Sequence, residues 1–401
     1  QEESIEIALK NNKRLLAAKQ RVEIAKGDLI VARAGFLPTL SLEANYLRLG
    51  KGQKISLGGE TDVTVRGEDT YSAAATIEQS LFAWGRIRNS YREAGSNQKV
   101  QEEDYRKEVN ILKFKVTESF HNVLLAGELL KLSEESYAQM ERHLRQVEER
   151  YKNGLVPKFD LLRARVQIAN FKPELIRAKN NLALSANYFK SLLGFPSEAE
   201  VRLQGELKYE PVEMELSQAI GEAVKNRPEI RSLAEAENAA LARLRLARAS
   251  NKPILSALYN YQFQKPYQWK DEWGKEWNAM LVLQFPIFSG FSTTGKVLQS
   301  ESLLQELRYN LEEKKEEIDL EVREAYLNLR QEEETIISQQ ENVGQAEEAM
   351  RIAEQRYVSG MITNLEFMDA QLALTQAKTG YLQALANYQI AKAKLLKAMG
   401  R

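Results

Sequence analysis

The chain carries one sequence unit twice. The stretch RYKNGLVPKFDLLRA at 150–164 returns as RYVSGMITNLEFMDA at 356–370, an offset of 206 residues. The same offset holds without an insertion across most of each copy, so that 81–194 repeats as 287–400. A repeat of this kind fixes the architecture of the whole chain. The domain organisation that it predicts is a first structural repeat at 1–194, a linker at 195–214 and a second structural repeat at 215–401.

Each copy predicts the same order of elements, namely a helix, a β-hairpin, a long helix, a turn and a return helix. The first helix, at roughly 3–35, stops before Pro38 because the residue ahead of a proline disfavours the helical conformation. Alternation of apolar and polar residues with a period of two then predicts strands with one apolar face. These strands lie at about 39–47, 71–81, 254–263 and 277–286. Residues 47–70, which include Gly58 and Gly59, form a longer loop that accommodates a nine-residue difference between the copies.

Apolar residues that recur every seven positions predict the long helices, at about 85–153 and 290–359, and favour coiled-coil packing. Each helix is roughly 100 Å long at about 1.5 Å per residue. Glycines end them, so we expect tip turns at 154–157 and 360–363. The two series are Val109, Val116, Val123, Leu130, Tyr137, Leu144 and Tyr151, and Val322, Leu329, Ile336, Val343, Met350 and Tyr357.

Four strands cannot form a stable structure alone. In water their apolar faces and open edges favour aggregation, and hydrocarbon does not tolerate open edges. The smallest membrane barrels have about eight strands, so four strands per chain require an oligomer of two or three copies. Aromatic residues near strand ends are typical of a membrane-interface girdle. They are Tyr46, Tyr71, Tyr259, Tyr261, Phe263, Trp273 and Trp277, accompanied by Tyr267 and Trp269.

Composition excludes several classes of function. The 56 basic and 56 acidic residues among 401 leave no net charge to attract nucleic acid. The absence of cysteine excludes disulfides, thiolate metal sites and a cysteine nucleophile. We expect the two histidines, His121 and His143, to be ordinary surface residues rather than metal ligands. No nucleophile–base pair, phosphate-binding loop or metal-ligand cluster points to an enzyme, so we expect no catalysis and no cofactor.

Duplicated motifs carry a family resemblance. They are Arg150-Tyr151, Gly154-Leu155, Asp160 and Ala164, repeated as Arg356-Tyr357, Gly360-Met361, Glu366 and Ala370, with strand-to-helix junctions at 80–86 and 286–290. With these motifs in this order, the chain resembles the TolC-type outer-membrane efflux protein family over essentially its whole length. The resemblance implies a mainly α fold with a small β part. It also implies a homotrimer whose 12-stranded β-barrel crosses the outer membrane of a Gram-negative-type envelope, above a periplasmic α-helical barrel.

The resemblance also implies the partners. Substrates would leave through the bore after an inner-membrane pump and a periplasmic adaptor (a membrane fusion protein) hand them over, and lipid would surround the barrel. We expect the tip turns to dock on the adaptor, although contacts across a turn could equally be simple helix capping. The tip residues are Gly154, Leu155, Val156, Gly360, Met361 and Ile362. We expect the side chains of Leu155, Val156, Met361 and Ile362 to be exposed.

The resemblance places a periplasmic gate beside the tips, at Asp160, Tyr357, Glu366 and Asp369. Tyr357 and Asp160 match a pair that bonds across neighbouring tip helices in the family. Glu366 and Asp369 are one helical turn apart, and in a trimer each would form a ring of three. Such rings would favour cations and raise carboxyl pKa values, whereas acidic side chains on a helix otherwise form a solvated face. Ile362 replaces an arginine of some members, which removes a second ionic latch.

Two other classes fit part of the pattern. The chain could be a soluble coiled-coil scaffold whose aromatic hairpins pack on another protein. It could instead be a periplasmic adaptor-like protein, since adaptors also carry long helical hairpins. The strand alternation and the aromatic girdle favour the membrane channel over the scaffold. An adaptor needs compact domains of many strands, and only four strands are predicted here.

Overall fold

The computed structural model describes residues 1–56, 62–66, 68–196, 198, 199, 201, 203–268 and 270–401. Gly58, Gly59 and Trp269 lie outside these residues. The helices are α1 Glu2–Asn11, α2 Lys13–Ala34, α3 Arg86–Lys152, α4 Lys158–Leu193, α5 Leu216–Asn226, α6 Pro228–Arg248, α7 Ser292–Val358 and α8 Asn364–Ala398. The strands are β1 Thr39–Arg48, β2 Gln53–Ser56, β3 Asp62–Arg66, β4 Asp69–Phe82, β5 Ile254–Lys265 and β6 Gly274–Gln284.

The first helix of each copy is broken in two, whereas one continuous helix per copy was predicted. Asn12 leaves the helical conformation, and its Oδ1 accepts hydrogen bonds from the backbone N–H groups of Arg14 and Leu15 at 3.0 and 3.2 Å. An asparagine in this position caps the following helix. In the second copy α6 begins at Pro228, where a proline lacks only a hydrogen bond that the first turn does not need. The Asn12 side chain therefore separates α1 from α2 by capping α2. Pro228 in the first turn of α6 permits the break between α5 and α6.

The long helices and their glycine ends repeat closely. Both α3 and α7 have 67 residues, and the return helices α4 and α8 have 36 and 35. Each of these four helices is followed by a glycine with a left-handed φ of +73° to +82°. Backbone hydrogen bonds close all four ends, for example from Leu155 to Arg150 and from Met361 to Arg356. This arrangement is the Schellman motif, which favours glycine because a side chain is strained there. The glycines are Gly154, Gly194, Gly360 and Gly400.

The two heptad series behave differently. In α7 the series is buried or half-buried throughout and ends on the buried Tyr357. In α3 it begins in the core but ends on the exposed Tyr151, and the buried stripe shifts to Met140, His143 and Val147. In a straight α-helix, residues seven positions apart are rotated by about 20° around the helix axis. A series with a strict period of seven therefore moves off the buried face after several turns. The prediction of continuous heptad packing is therefore wrong for the last turns of α3.

The linker at 195–214 packs on the helices of both copies. Its described residues Phe195 and Leu203 contact the core that Val116, Phe120 and Phe189 form in the first copy. Leu207, Tyr209 and Met214 contact the core of the second copy around Val322, Leu329 and Tyr388. The linker thus contributes apolar side chains to both hydrophobic cores.

One four-stranded antiparallel sheet has the order β1-β4-β5-β6. Its register aligns the predicted apolar residues on one face, since Leu42 lies opposite Ala75, Ala75 opposite Tyr261, and Tyr261 opposite Trp277. The opposite face carries polar residues such as Glu43 and Asn260. A second, short hairpin of β2 and β3 lies within 47–70, which was predicted as a loop. Its strands have only four and five residues, which is too short for a period of two to identify them.

The sequence repeats are not the compact units of the chain. One unit contains 1–20, 103–230 and 312–401, and the other contains 21–102 and 231–311. Each unit therefore includes parts of both copies. The reason is the sheet, because β4 of the first copy pairs with β5 of the second.

A glycine-to-alanine pair tests the repeated helix ends. A Cβ at Gly194 would lie 2.9 Å from the carbonyl oxygen of Asn11, and its φ is +76°. Left-handed backbone costs about 1–2 kcal/mol without glycine, so Gly194→Ala should destabilise the protein by at least this much. Gly344→Ala is the matched control, because Gly344 lies within α7 and has no atom within 4 Å of a new Cβ. It should be neutral or stabilise by up to about 1 kcal/mol. Thermal loss of helical circular dichroism in detergent measures both, and equal midpoints would contradict the interpretation.

Candidate functional site

The two tip turns expose one apolar side chain each. Leu155 is 72% exposed and Met361 is 76% exposed, directly after the glycines that reverse the chain. The next residues, Val156 and Ile362, are half-buried and pack on the tip core. Sequence analysis expected all four to be exposed, which is wrong for Val156 and Ile362. The tip core contains Val147, Leu161, Ala164, Met350, Ala353, Tyr357, Phe367 and Met368.

The two return helices differ beside the tips. In α4 the side chains of Phe159, Leu162 and Val166 are exposed at spacings of three and four residues. Leu162 corresponds to Met368 in the second copy, and Met368 is buried in the tip core. The first hairpin therefore presents an exposed apolar stripe. In the second hairpin the equivalent stripe is partly buried in the tip core. The repeated sequence does not make the two tips equivalent surfaces.

Tyr357 lies at the centre of the tip core. Its side chain is only 4% exposed, and its hydroxyl has no hydrogen-bond partner among the described residues. The bond expected between Tyr357 and Asp160 is therefore not formed in this chain. Burial raises the pKa of Tyr357, the nearby Asp160 carboxylate raises it further, and Arg150 opposes both effects. Because its pKa is raised above the ordinary value of about 10, the phenol is neutral at physiological pH.

Arg150 joins the end of α3 to the end of α7. Its guanidinium donates hydrogen bonds to the carbonyl oxygens of Tyr357 and Val358 at 3.1 and 2.9 Å. The guanidinium carbon also lies 4.8 Å from the centre of the Tyr357 ring, in cation–π geometry. A positive charge at the C-terminus of a helix satisfies free carbonyl groups and complements the helix dipole. Arg150 thus stabilises the second tip from the first hairpin.

His143 is a buried part of the tip core, so its predicted surface position is wrong. Its imidazole is 5% exposed and stacks on Phe367 with 4.3 Å between ring centres. The Nε2 atom lies 2.6 Å from Oδ1 of Asn364, the first residue of α8. His143 also lies one helical turn from Met140 and one from Val147, both buried. That spacing was the available signal, but the heptad series placed the apolar stripe on Leu144 instead.

His121, the other histidine, is buried as well and also contradicts the prediction of a surface position. Its ring lies edge-on to Phe120 with centres 5.5 Å apart. Burial lowers its pKa to about 4, and positive charge at Lys392 acts in the same direction. Both histidines therefore lie on faces of α3 that packing covers rather than on a solvated face.

The two acidic gate residues of α8 have different surroundings in the single chain. Glu366 forms a capping box at the start of α8, in which its carboxylate accepts hydrogen bonds from the N–H and hydroxyl of Thr363 at 2.7 and 2.9 Å. Within the single chain these hydrogen bonds lower the pKa of Glu366. Asp369 is exposed one turn further along α8. Of the two carboxylates, Asp369 is the one that does not cap the helix.

Aromatic side chains form a continuous row at one end of the sheet. The Tyr46 and Tyr71 rings are 5.0 Å apart, Tyr71 and Trp273 are 6.0 Å apart, and Trp273 stacks on Phe263 at 4.8 Å. Further along, Tyr259 stacks on Trp277 at 6.0 Å, and Tyr261 lies opposite Trp277 in the register. The row follows from strand register, which aligns residues that are distant in sequence.

The described residues include no helix long and apolar enough to cross a membrane. The described part of the chain also contains no group of three histidine, aspartate or glutamate side chains that could hold a metal ion.

Comparison of this chain with known proteins identifies the family to which it belongs. Residues 4–195 and 219–401 match the outer membrane efflux protein family. The chain belongs to this family. It is 25% identical to the probable outer membrane lipoprotein SilC of Salmonella typhimurium, over 98% of this chain and 84% of that protein. It is 22% identical to the outer membrane protein TolC of Escherichia coli, over 92% of this chain and 76% of that protein.

The fold matches solved channels of the same kind. The Campylobacter jejuni CmeC outer membrane channel has a TM-score of 0.88 to this chain at 19% identity, and the match covers all of this chain and 85% of CmeC. The family resemblance inferred from the duplicated motifs is therefore confirmed, and so is the outer-membrane location. The family consists of channel proteins, which favours a channel over the scaffold and adaptor alternatives.

Substitution of Arg150 tests its bridging role at the tip. Arg150→Leu should leave two carbonyl groups of α7 without a charged donor, at a cost of about 1.4 kcal/mol or a roughly tenfold faster local opening. Hydrogen–deuterium exchange of the amides at 357–361 measures this opening. Arg356→Leu is the matched control, because Arg356 is the repeat counterpart of Arg150 and is exposed. Equal acceleration by both variants would contradict the assignment.

Proposed function

We propose that the chain is one third of a passive trimeric exit duct in the outer membrane. The observation that supports this proposal most directly is the sheet, whose edge strands β1 and β6 pair on one side only among the described residues. Three copies would place β6 of one chain against β1 of the next and close a barrel of twelve strands. A closed barrel leaves no open edge, which is the condition for a sheet in hydrocarbon.

The dimensions of the sheet support a membrane position. Strand β1 has ten residues, which span about 33 Å at 3.3 Å per residue. Tilted by about 45°, it covers roughly 23 Å of the bilayer normal, close to the apolar band of about 25 Å on outer-membrane barrels. Leu42, Leu281 and Leu283 on the apolar face are each at least two-thirds exposed in the single chain. Lipid would cover this face, and the aromatic row would lie at the interface with water.

The helical tips would receive substrate from the partners. In this proposal Leu155 and Met361 contact a periplasmic adaptor, since each is an exposed apolar residue on a sharp turn. An inner-membrane pump would supply the energy, because a duct without catalysis only provides a path. Asp160, Tyr357, Glu366 and Asp369 would surround the periplasmic entrance. Asp369 would dominate any selection for cations there, because the Glu366 carboxylate is bound to Thr363.

Crosslinking between edge strands tests the trimer. Residues 1–401 contain no cysteine, so introduced cysteines are the only thiols in this sequence. Leu42→Cys in β1 combined with Leu281→Cys in β6 should give covalent trimers in isolated membranes with a short thiol-reactive crosslinker. Leu42→Cys with Ala257→Cys is the control, because Ala257 lies on the same face of β5, which is paired on both sides. Products that stop at dimers, or the same products from the control, would refute the proposed closure.

Crosslinking at the tips tests the docking. Leu155→Cys and Met361→Cys should each capture the adaptor in intact cells, whereas Gln340→Cys on the exposed side of α7 should not. Mass spectrometry of the products identifies the captured protein. If neither tip cysteine captures an adaptor while the protein is present in the outer membrane, the tips are not the docking surface.

A further inference from the structure

A chain of hydrogen bonds through Asn364 also joins the two helical hairpins at the tip. It runs from His143 of α3 to Asn364 of α8 and from Asn364 to the backbone of α4, where the Asn364 Nδ2 donates to the Asp160 carbonyl oxygen at 3.3 Å. The His143 ring also contacts Phe367 of α8 and Tyr357 of α7, whose centres lie 4.3 and 5.0 Å away. His143 thus contacts the second hairpin on both of its helices.

We propose that His143 is a proton-operated latch, which holds the two hairpins together at the periplasmic entrance when it is neutral and releases them when it is protonated. This inference rests on the proposed function, since it takes the tip to be the entrance of the duct. It adds a gate residue that is neither one of the acidic positions nor part of the tyrosine–aspartate pair.

The hydrogen bonds fix which nitrogen carries the proton. Because Nδ2 of Asn364 donates to Asp160, the oxygen of the same amide faces His143. An amide oxygen only accepts, so the Nε2 atom of His143 must carry the hydrogen in the neutral ring. The Nδ1 atom is then a bare acceptor, buried and without a partner among the described residues. Protonation of His143 would create a charged N–H donor at Nδ1 with no acceptor, which is costly in a buried site.

The surroundings of His143 oppose its protonation. Burial lowers the pKa of His143 and the positive charge of Arg150 on α3 lowers it further, while the hydrogen bond to Asn364 partly compensates. From α7 the ring faces the neutral phenol of Tyr357, and from α8 it faces Phe367 and Asn364. From α4 Asp160 offers its carbonyl oxygen to Asn364, and its carboxylate acts on Tyr357.

The direction of the pH effect follows from linkage. A separated hairpin exposes His143, whose pKa then returns toward about 6.5, so the separated state binds more protons than the packed one. The latch is therefore fully engaged above pH 6.5 and weakens as the pH falls below that value toward the lower pKa of the packed state. Each pH unit between the two pKa values favours the separated state by up to about tenfold per chain.

Channel recordings at two pH values test the latch. The full-length protein in planar bilayers should conduct weakly at about pH 7.5 and up to about tenfold more strongly at about pH 5. His143→Gln places an amide N–H near the position of Nε2 and cannot titrate, so its conductance should stay low at both values. His143→Ala removes the hydrogen bond and should conduct strongly at both. His121→Gln is the matched control, because it removes the other buried histidine about 33 Å away along α3 and should respond like the wild type.

A titration that does not depend on conductance accompanies the recordings. The chain has only two histidines, so the His121→Gln variant with isotope-labelled histidine gives one imidazole signal by NMR, that of His143. Its midpoint should lie below about 6.5, because the packed state opposes protonation of the ring.

Four results would overturn the latch. The first is a rise in conductance of His143→Gln in acid as large as that of the wild type. The second is a His143 midpoint at or above about 6.5. The third is an absence of conductance in every variant at both pH values, which would refute the proposed channel as well. Conductance that is present but independent of pH in the wild type would refute the latch and leave the channel intact.

Discussion

The unpaired edges and the bare apolar face of one four-stranded sheet constrain the rest of this molecule. Backbone N–H and C=O groups at a sheet edge need partners in hydrocarbon, and each group left unpaired costs several kcal/mol. Neither copy of the repeat can supply these partners, since β4 and β5 already join the two copies into one sheet. In the proposed trimer, further copies of the chain supply these partners. Under that proposal, oligomerisation is a requirement of folding in the membrane rather than an addition to it.

Duplication also shapes the helical part. Two copies give two hairpins of nearly equal length, closed by the same glycine motif at each end. Their tips nevertheless differ, because Leu162 is exposed where Met368 is buried. Arg150 and His143 both extend from the first hairpin to the second. The second tip therefore receives some of its hydrogen bonds from the first hairpin in addition to its own.

Most of the fold could be predicted from sequence because its signals are local and duplicated. Period-two alternation identified the four strands of the main sheet, and the glycines at 154 and 360 identified the turns. The break at Asn12 was missed because a side-chain cap within a helical stretch leaves a weak pattern. The burial of His143 was missed because a strict heptad drifts relative to a real helix. At the tip, sequence indicated which residues cluster but not their partners. Glu366 pairs with Thr363 in a capping box, and Tyr357 contacts Arg150 rather than bonding to Asp160.

Native mass spectrometry of the protein extracted from outer membranes in mild detergent tests the central claim most directly. The requirement for a closed barrel predicts a particle of three chains, each of 45.7 kDa for the sequence described, and no stable monomer once the detergent is removed. A folded monomer that stays in solution without detergent would contradict the account, because its sheet would then tolerate open edges and an uncovered apolar face.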